Sequence, residues 1–347
     1  MRDDLDFSFE RTSFQPLIHL QMSSPTLHQR ATIIDGLVIA KFDRAVFEDM
    51  RRGGLTAANC TCSIWENFRD SMDQIVKWQH HFRDHGDLIT QVFTTADIHR
   101  AKAEGKTGII LGWQNLSGIE DRIDYLGLFK ALGVGVMQIA YNTQNWVGSG
   151  CYEKHDGGLS EFGHEVIAEM NRLGILCDLS HVGAKTSDDV IRASTKPVAY
   201  THCLPAGLKT HPRNKSDEQL RFIADRGGFV GVTMFTPFLR QGAQATVDDY
   251  IEAIEYVIQR VGEEQVGVGT DFTQGWGPEF FDWITRDKGR SRKLTEFGEI
   301  LNPLGFRTLG EFPNLTATMQ KRGWSESRIC KVMGENWVHV LKEVWGA

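Results

Sequence analysis

Eight short and almost continuously apolar runs recur along the chain, separated by segments with the apolar spacing of amphipathic helices. Strands that are apolar along their whole length are buried on both faces, as in parallel sheets covered by their connecting helices. The predicted strands are residues 32–40, 55–61, 107–113, 135–141, 175–180, 197–201, 229–235 and 266–270. The predicted helices are residues 44–52, 63–82, 95–104, 122–132, 160–173, 185–194, 216–226 and 247–261.

This alternation predicts an α/β fold, a single (β/α)8 TIM barrel of the metal-dependent hydrolase type. Right-handed crossovers between successive parallel strands make closure the simplest topology, and a doubly wound open sheet is the alternative. No linker or composition break divides the 347 residues, so we predict one domain over residues 1–347. It would carry an N-terminal extension (1–30) and a C-terminal helical tail (about 275–347), with an amphipathic helix at 325–344 against the barrel wall.

Charge and composition exclude several classes of partner. The chain has 38 Lys and Arg against 45 Asp and Glu, a net charge of −7, so we expect no nucleic-acid partner. No run approaches the roughly 20 apolar residues that cross a bilayer, and the N-terminus is acidic where a signal peptide would be basic. We therefore expect a cytoplasmic protein with no membrane partner. Its six cysteines do not form a disulfide framework and are expected to be reduced.

Candidate metal ligands lie at the ends of three predicted strands. His181 and His202 end the fifth and sixth strands, and Asp271 follows the eighth. In a barrel these ends meet at one mouth, where active sites lie. Two histidines and a carboxylate with an open position form a known catalytic metal site. We therefore predict that His181, His202 and Asp271 bind a metal, with a metal-free polar cluster held by hydrogen bonds as the alternative.

Several further motifs occur in an order typical of one family. They are Gly157-Gly-Leu159, Asp178-Leu-Ser-His181, Thr201-His202, Arg213-Asn214 and Gly269-Thr-Asp271-Phe272. On these motifs the chain resembles the membrane (renal) dipeptidase family, binuclear zinc peptidases of the amidohydrolase-like barrel group, from about residue 33 to residue 336. The resemblance implies that His181 and His202 bind the second metal. It also implies that Asp271 is general base and first-metal ligand, and that Arg213 binds the substrate carboxylate.

The departures from the family pattern affect the first metal. The family opens its first strand with Asp-Gly-His-x-Asp, whose His and Asp hold one zinc, and Leu37 and Ile39 stand at those positions here. The family's bridging Glu matches Gln114, and a His after the fourth strand matches Tyr141. Two divalent ions would be left with Asp271 as the only obvious carboxylate, and an uncompensated buried charge costs several kcal/mol. We therefore predict one zinc ion per chain, with a metal-free chain as the alternative.

Together these residues predict a metal-dependent hydrolase that cleaves a dipeptide or a small amide bearing a carboxylate. Asp271 either binds the ion or accepts a proton from the attacking water, and the two roles compete. Tyr141 either stabilises the oxyanion or forms an aromatic wall. Gln114 and Asn142 are expected to contribute to substrate binding beside Arg213, whose planar guanidinium suits a carboxylate.

Two other functions remain open on the sequence. One is a non-catalytic barrel that binds a small ligand in a degraded metal site. The other is a metal-independent enzyme that acts on a small metabolite, with Tyr141 as its acid–base group. The expected partner is in each case a small molecule, and a homodimer is left open. Leu37 and Ile39 would line the mouth with apolar surface and favour a less polar substrate than a free dipeptide amino terminus.

Overall fold

A computed structural model of the protein describes residues 24–346. Its strands form one parallel sheet, and each of the eight predicted strands overlaps an observed one. The strands are β1 (Ile34–Val38), β2 (Ala57–Ser63), β3 (Ile89–Gln91), β4 (Thr107–Trp113), β5 (Val134–Gln138), β6 (Leu176–Asp178), β7 (Ala199–Cys203), β8 (Phe229–Val232) and β9 (Val266–Val268). The order around the sheet is β1-β2-β4-β5-β6-β7-β8-β9. The short strand β3, which the sequence pattern did not predict, pairs with the first half of β4, and β5 pairs with the second half.

The helices follow the predicted alternation closely. They are α1 (Leu27–Arg30), α2 (Arg44–Arg52), α3 (Phe68–Asp84), α4 (Thr95–Ala103), α5 (Asp124–Ala131), α6 (Glu161–Leu173), α7 (Ala184–Ala193), α8 (Asp217–Asp225), α9 (Val247–Val261), α10 (Pro278–Ile284), α11 (Phe312–Lys321), α12 (Glu326–Cys330) and α13 (Asn336–Trp345). Side-chain caps begin many of them, for example Asp43 before α2 and Thr246 before α9. A π-helical turn, Lys331–Glu335, joins α12 to α13, so the amphipathic segment predicted at 325–344 is helical nearly throughout.

The sheet closes into a barrel between its first and last strands. Past the end of β9, the Asp271 backbone N–H donates to the Leu37 carbonyl at 2.9 Å, and the Ile39 N–H donates to the Phe272 carbonyl at 2.9 Å. Asp35 in β1 also accepts the Thr270 N–H at 2.8 Å. This closure confirms the predicted barrel and excludes the open doubly wound sheet.

The C-terminal helix plugs the bottom of the barrel. Trp337 of α13 is 2% exposed, and its indole N–H donates to the Val268 carbonyl at 2.8 Å. A side chain at Gly36 would overlap its ring and one at Gly231 would overlap the Thr201 carbonyl beside it, so these two strand positions need glycine for the close approach. Ligand access is therefore confined to the opposite end, where the strands finish.

The structure describes only the last part of the predicted N-terminal extension, and it shows where the C-terminal tail packs. Residues 1–23 of the predicted N-terminal extension lie outside the described residues, and the short helix α1 lies within its last part. The tail after residue 275 covers both ends of the barrel, since α10 packs at the mouth and α13 at the bottom. Over residues 24–346, none of the helices combines the length and the apolar character needed to span a membrane. The division into one domain with two extensions stays a prediction.

Candidate active site

The residues predicted from the strand ends meet at the mouth of the barrel. His181 follows β6, His202 lies in β7 and Asp271 follows β9, while Gln114 and Asn142 follow β4 and β5. Four of these five residues are buried, and Asp271 is partly buried. All except His202 line one small cavity. His202 lies directly behind His181, with the two ring centroids 5.1 Å apart.

The two imidazoles are held in a fixed orientation by groups from neighbouring strands. His181 Nδ1 lies 2.7 Å from Asn142 Oδ1, and His202 Nδ1 lies 2.8 Å from Thr201 Oγ1. The Thr201 hydroxyl donates in turn to the buried carboxylate of Asp178 at 2.6 Å. The two Nε2 atoms then face each other at 3.1 Å.

The hydrogen bonds of this network place one proton on each imidazole ring and leave the Nε2 lone pairs of His181 and His202 facing each other. An amide oxygen can only accept, so His181 Nδ1 carries the proton. The Thr201 hydrogen is used on Asp178, so His202 Nδ1 must donate to the Thr201 oxygen. Both Nε2 atoms are therefore unprotonated, and burial, reinforced by Arg213, lowers the pKa of both imidazoles well below the usual value. Two buried acceptors this close need a cation or a shared proton between them.

This geometry fits one metal ion. Zinc binds imidazole nitrogen at about 2.0–2.1 Å, which places two nitrogens of a tetrahedral site about 3.3 Å apart. The observed 3.1 Å between His181 and His202 is close to that separation. Metal-binding histidines also donate their second N–H to an oxygen, as both do here.

The residues at the positions of the family's first metal do not provide ligands for a second ion. Leu37 and Ile39, at the positions where the family binds its first zinc, are 1% and 7% exposed. Ile39 packs in an apolar cluster with Ile64, Tyr141 and residues of α10. Gln114 donates from Nε2 to the Thr61 hydroxyl at 2.9 Å and carries no charge.

Asp271 lines the cavity but does not complete a three-ligand group. Within residues 24–346, no three His, Cys, Asp or Glu side chains come together as metal ligands. Burial raises the pKa of Asp271 to about 6, while Arg213 acts in the opposite direction. Its φ is +62° and that of Asn142 is +63°, and such backbone conformations concentrate at functional sites. The structure thus brings the two imidazoles together at the mouth and places Asp271 in the wall of the same cavity.

Arg213 is buried beside the histidines and is only partly satisfied. Its terminal nitrogens donate to the backbone carbonyls of Ser180 and His202, the second at 3.2 Å. Its Nε has no hydrogen-bond partner among the described residues, and the guanidinium lies 5.3 Å from the Phe238 ring. A buried donor without a partner is costly, so the cavity is suited to an oxygen ligand at this point.

Tyr141 packs flat against the histidine pair. Its ring stacks on His181 at 4.0 Å between centroids with an interplanar angle of 25°, and Trp65 meets its other side edge-on at 5.0 Å. Burial, with Asp271 nearby, raises the pKa of its phenol above the usual value. The hydroxyl therefore stays protonated at neutral pH, and it can donate a hydrogen bond.

A roof of three phenylalanines and one isoleucine leaves little free space in the cavity. The free volume is about 20 Å³, about enough for one water molecule. The roof comprises Phe235 and Phe238 after β8, with Ile284 and Phe297 from the segment after β9. Phe235 ends the strand predicted at 229–235, whereas Phe238, Ile284 and Phe297 were not found from the sequence because they lie beyond the predicted strand ends. Sequence reasoning also gave no role to Asp178 and Thr201, although both belong to motifs that carried the family resemblance. Asn142, predicted to bind substrate, has its side-chain oxygen committed to His181.

Comparisons with known proteins agree with this architecture. The family model described as membrane dipeptidase (Peptidase family M19) matches residues 37–284. A crystal structure of an amidohydrolase from Pseudomonas aeruginosa is 63% identical, with a TM-score of 0.92 over 92% of this chain and 98% of that chain. A metallo peptidase from Rhodobacter sphaeroides, crystallised with a phosphinate mimic of the dipeptide L-Ala-D-Ala, is 22% identical, with a TM-score of 0.76 over 91% of this chain and 99% of that chain.

A curated relative is longer than this chain. Dipeptidase tcpJ from Claviceps purpurea is 28% identical over 282 residues, which are 80% of this chain and 60% of the relative. The chain therefore spans about 60% of the length of that protein.

Proposed function

This chain belongs to the membrane dipeptidase family, and on that basis we propose that it is a metal-dependent hydrolase of a dipeptide or small amide bearing a carboxylate. One observation carries the proposal: the Nε2 atoms of His181 and His202 face each other at 3.1 Å. From the hydrogen bonds to Asn142 and Thr201 we infer that both rings carry their proton on Nδ1. This arrangement supports one zinc ion per chain. We propose Asp271 as the base and the histidine pair as the metal ligands.

The protein side chains have separate roles in the proposed reaction. Arg213 binds the substrate carboxylate through its free Nε–H, and this contact fixes the position of the scissile bond. Asp271 accepts a proton from the attacking water, and Tyr141 donates a hydrogen bond to the developing oxyanion. When bound, zinc would supply a Lewis acid for the scissile carbonyl and the attacking water. Asn142 and Thr201 keep the two imidazoles in the tautomer that binds a metal.

The relatives support the choice of substrate class. The Rhodobacter sphaeroides protein binds a mimic of L-Ala-D-Ala, and the Claviceps purpurea relative is named a dipeptidase. L-Ala-D-Ala is therefore the first substrate to test, followed by dipeptides with larger apolar N-terminal residues. The apolar side chain of Ile39, which lines the cavity, favours these larger residues, whereas the buried Leu37 does not line it.

Metal analysis with a hydrolysis assay tests the proposal. After zinc reconstitution and removal of excess metal, we expect about one ion per chain and zinc-dependent cleavage of a dipeptide. His181→Gln with His202→Gln should lose both. His164→Gln, an exposed histidine of α6, is the matched control and should keep both. Less than about 0.2 zinc per reconstituted chain would overturn the metal assignment. Activity that survives chelation would instead favour a metal-independent enzyme.

A further inference from the structure

A large open groove lies beside the closed catalytic cavity. Its volume is about 610 Å³, within the range of about 300–1,000 Å³ typical of small-molecule sites, whereas the cavity holds only about 20 Å³. Its walls are the chain after β1, the end of β2 with the residues that follow, one face of α3, and the segment Gly275 to Trp283. Ile39 lines both the groove and the cavity. We call this space the β1–α3 groove.

Aromatic side chains dominate the walls of the groove. They are Phe42, Trp78, Trp276, Phe280 and Trp283. Trp276 and Phe280 stack at 4.4 Å between centroids, and Phe42 and Trp78 pack at 4.7 Å. The indole N–H of Trp276 donates to the Ile39 carbonyl at 2.6 Å, which fixes its ring while leaving 37% of the residue exposed. A fixed, partly exposed indole presents a preformed face for stacking with another ring.

The charged groups on the groove are unequal in their availability. Lys41 and Lys77 are exposed, and within the described part of the chain neither forms an ion pair with a carboxylate. By contrast, the Glu66 carboxylate accepts the Ile64 N–H at 2.6 Å and the Ser63 hydroxyl at 3.3 Å. Glu279, on the first turn of α10, is the other acidic residue of the walls. Glu279 is also exposed and has no ion-pair partner among the described residues, so the walls present two available cations and one available carboxylate, a net positive charge.

We propose that the β1–α3 groove binds an aromatic group carrying a carboxylate, as an arm of the substrate that extends beyond Ile39. The ring would stack against Trp276, and the carboxylate would pair with Lys41 and Lys77. This inference rests on the proposed hydrolase function for its biological meaning. It concerns a different set of residues from Arg213 and the histidine pair.

Binding of 4-phenylbutyrate to the chelated protein, measured by calorimetry, tests the groove without any hydrolysis. The neutral comparator is 4-phenyl-1-butanol, which has the same ring and chain length. We expect the carboxylate to bind roughly tenfold more tightly than the alcohol, the combined effect of two exposed ion pairs. Lys41→Gln with Lys77→Gln should abolish this preference. Lys321→Gln with Lys342→Gln removes the same charge from exposed positions on α11 and α13 and should preserve it.

A separate variant tests the contribution of the Trp276 ring. Trp276→Leu should weaken both probes, because the stacking face is lost while the lysines remain. Equal affinity for the two probes, absence of saturable binding, or an unchanged preference in Lys41→Gln with Lys77→Gln would each overturn the inference. Failure of the proposed function looks different, since the chain would then bind 4-phenylbutyrate without cleaving any dipeptide. Failure of the groove inference alone would leave dipeptide cleavage intact and 4-phenylbutyrate unbound.

Discussion

His181 and His202 owe their chemistry to the residues behind them rather than to their position alone. Asn142 fixes the proton of His181 on Nδ1, and the Thr201–Asp178 pair does the same for His202. The strand ends predicted from sequence bring the rings together, because parallel strands finish at one edge of the barrel. The tautomers could not be predicted, since they depend on which atom of a neighbouring side chain faces each ring. A sequence pattern contains residue types and spacings but not these orientations.

Asp271 provides a prediction at the level of one residue. Its pKa is raised from 3.8 to about 6 by burial, and a base works only when deprotonated. We therefore expect kcat/KM to fall as the pH decreases through about 6 and to be level above it. Asp271→Asn should lower kcat by roughly 10²–10⁴-fold at pH 8, the usual contribution of a general base. A pH–rate profile of dipeptide hydrolysis measures both effects.

Zinc content distinguishes the two roles that the sequence left open for Asp271. Asp271→Asn should still bind about one zinc per chain if the residue is the base, and should lose zinc if it is a ligand. An acidic limb centred near pH 4, the range of an ordinary carboxyl group, would contradict the assignment of a buried base.

Among the structural elements, the strands were predictable and the coverings of the two barrel ends were not. The eight apolar runs all became strands because a parallel barrel buries both faces of each strand. Strand β3 was missed because it has only three residues, two of them partly exposed. The roof residues Ile284, the last residue of α10, and Phe297, in irregular chain, both follow β9, and no sequence pattern there indicates a contact with the mouth. Such contacts depend on tertiary packing alone.

Asp35 connects the first and last strands and provides a prediction at the level of elements. Its buried carboxylate accepts the Thr270 N–H at 2.8 Å, the Thr270 hydroxyl at 2.5 Å and the Leu37 N–H at 3.2 Å. Asp35→Ala should lower the free energy of unfolding by about 2–4 kcal/mol, because it leaves buried donors unsatisfied. Asp35→Asn keeps an acceptor oxygen and replaces the protonated carboxyl group with a neutral amide, so at pH 5.5 it should change stability by less than about 1 kcal/mol. Urea unfolding followed by circular dichroism measures both.

The pH dependence of Asp35→Asn checks the origin of this difference. Burial raises the pKa of Asp35 to about 7, above its unfolded value of 3.8, so the folded state binds a proton first. The contribution of Asp35 to stability therefore increases as the pH falls from about 7 toward 4 and is lost as the pH rises through 7. Relative to the wild type, Asp35→Asn should be more stable at pH 8 than at pH 5.5. A difference that does not vary with pH would contradict the assignment.

Across the whole molecule, we predict that the balance of buried charge limits how many metal ions the barrel binds. Arg213 and Lys215 are both buried near the histidine pair, and both lower the pKa of the two imidazoles. The overall charge of −7 does not offset these cations, because surface carboxylates are screened by solvent. Carboxylates inside the mouth would be needed, and the family pattern places them at positions 39 and 114. The prediction of a single ion could be made from the sequence because it depends on residue types rather than on geometry.

Restoring those positions gives a prediction that links metal content to the stability of the whole fold. Leu37→His, Ile39→Asp and Gln114→Glu together should raise the zinc content from about one to about two ions per chain. Without metal, this variant should lose several kcal/mol of stability, since two carboxylates are then buried without partners. Zinc should recover that loss, because binding to the folded state alone stabilises it by mass action. The neutral control, Leu37→His with Ile39→Asn, should stay near one ion. Metal analysis with denaturant unfolding measures both quantities. A triple variant that folds with zinc but still binds one ion would show that charge alone does not set the metal number.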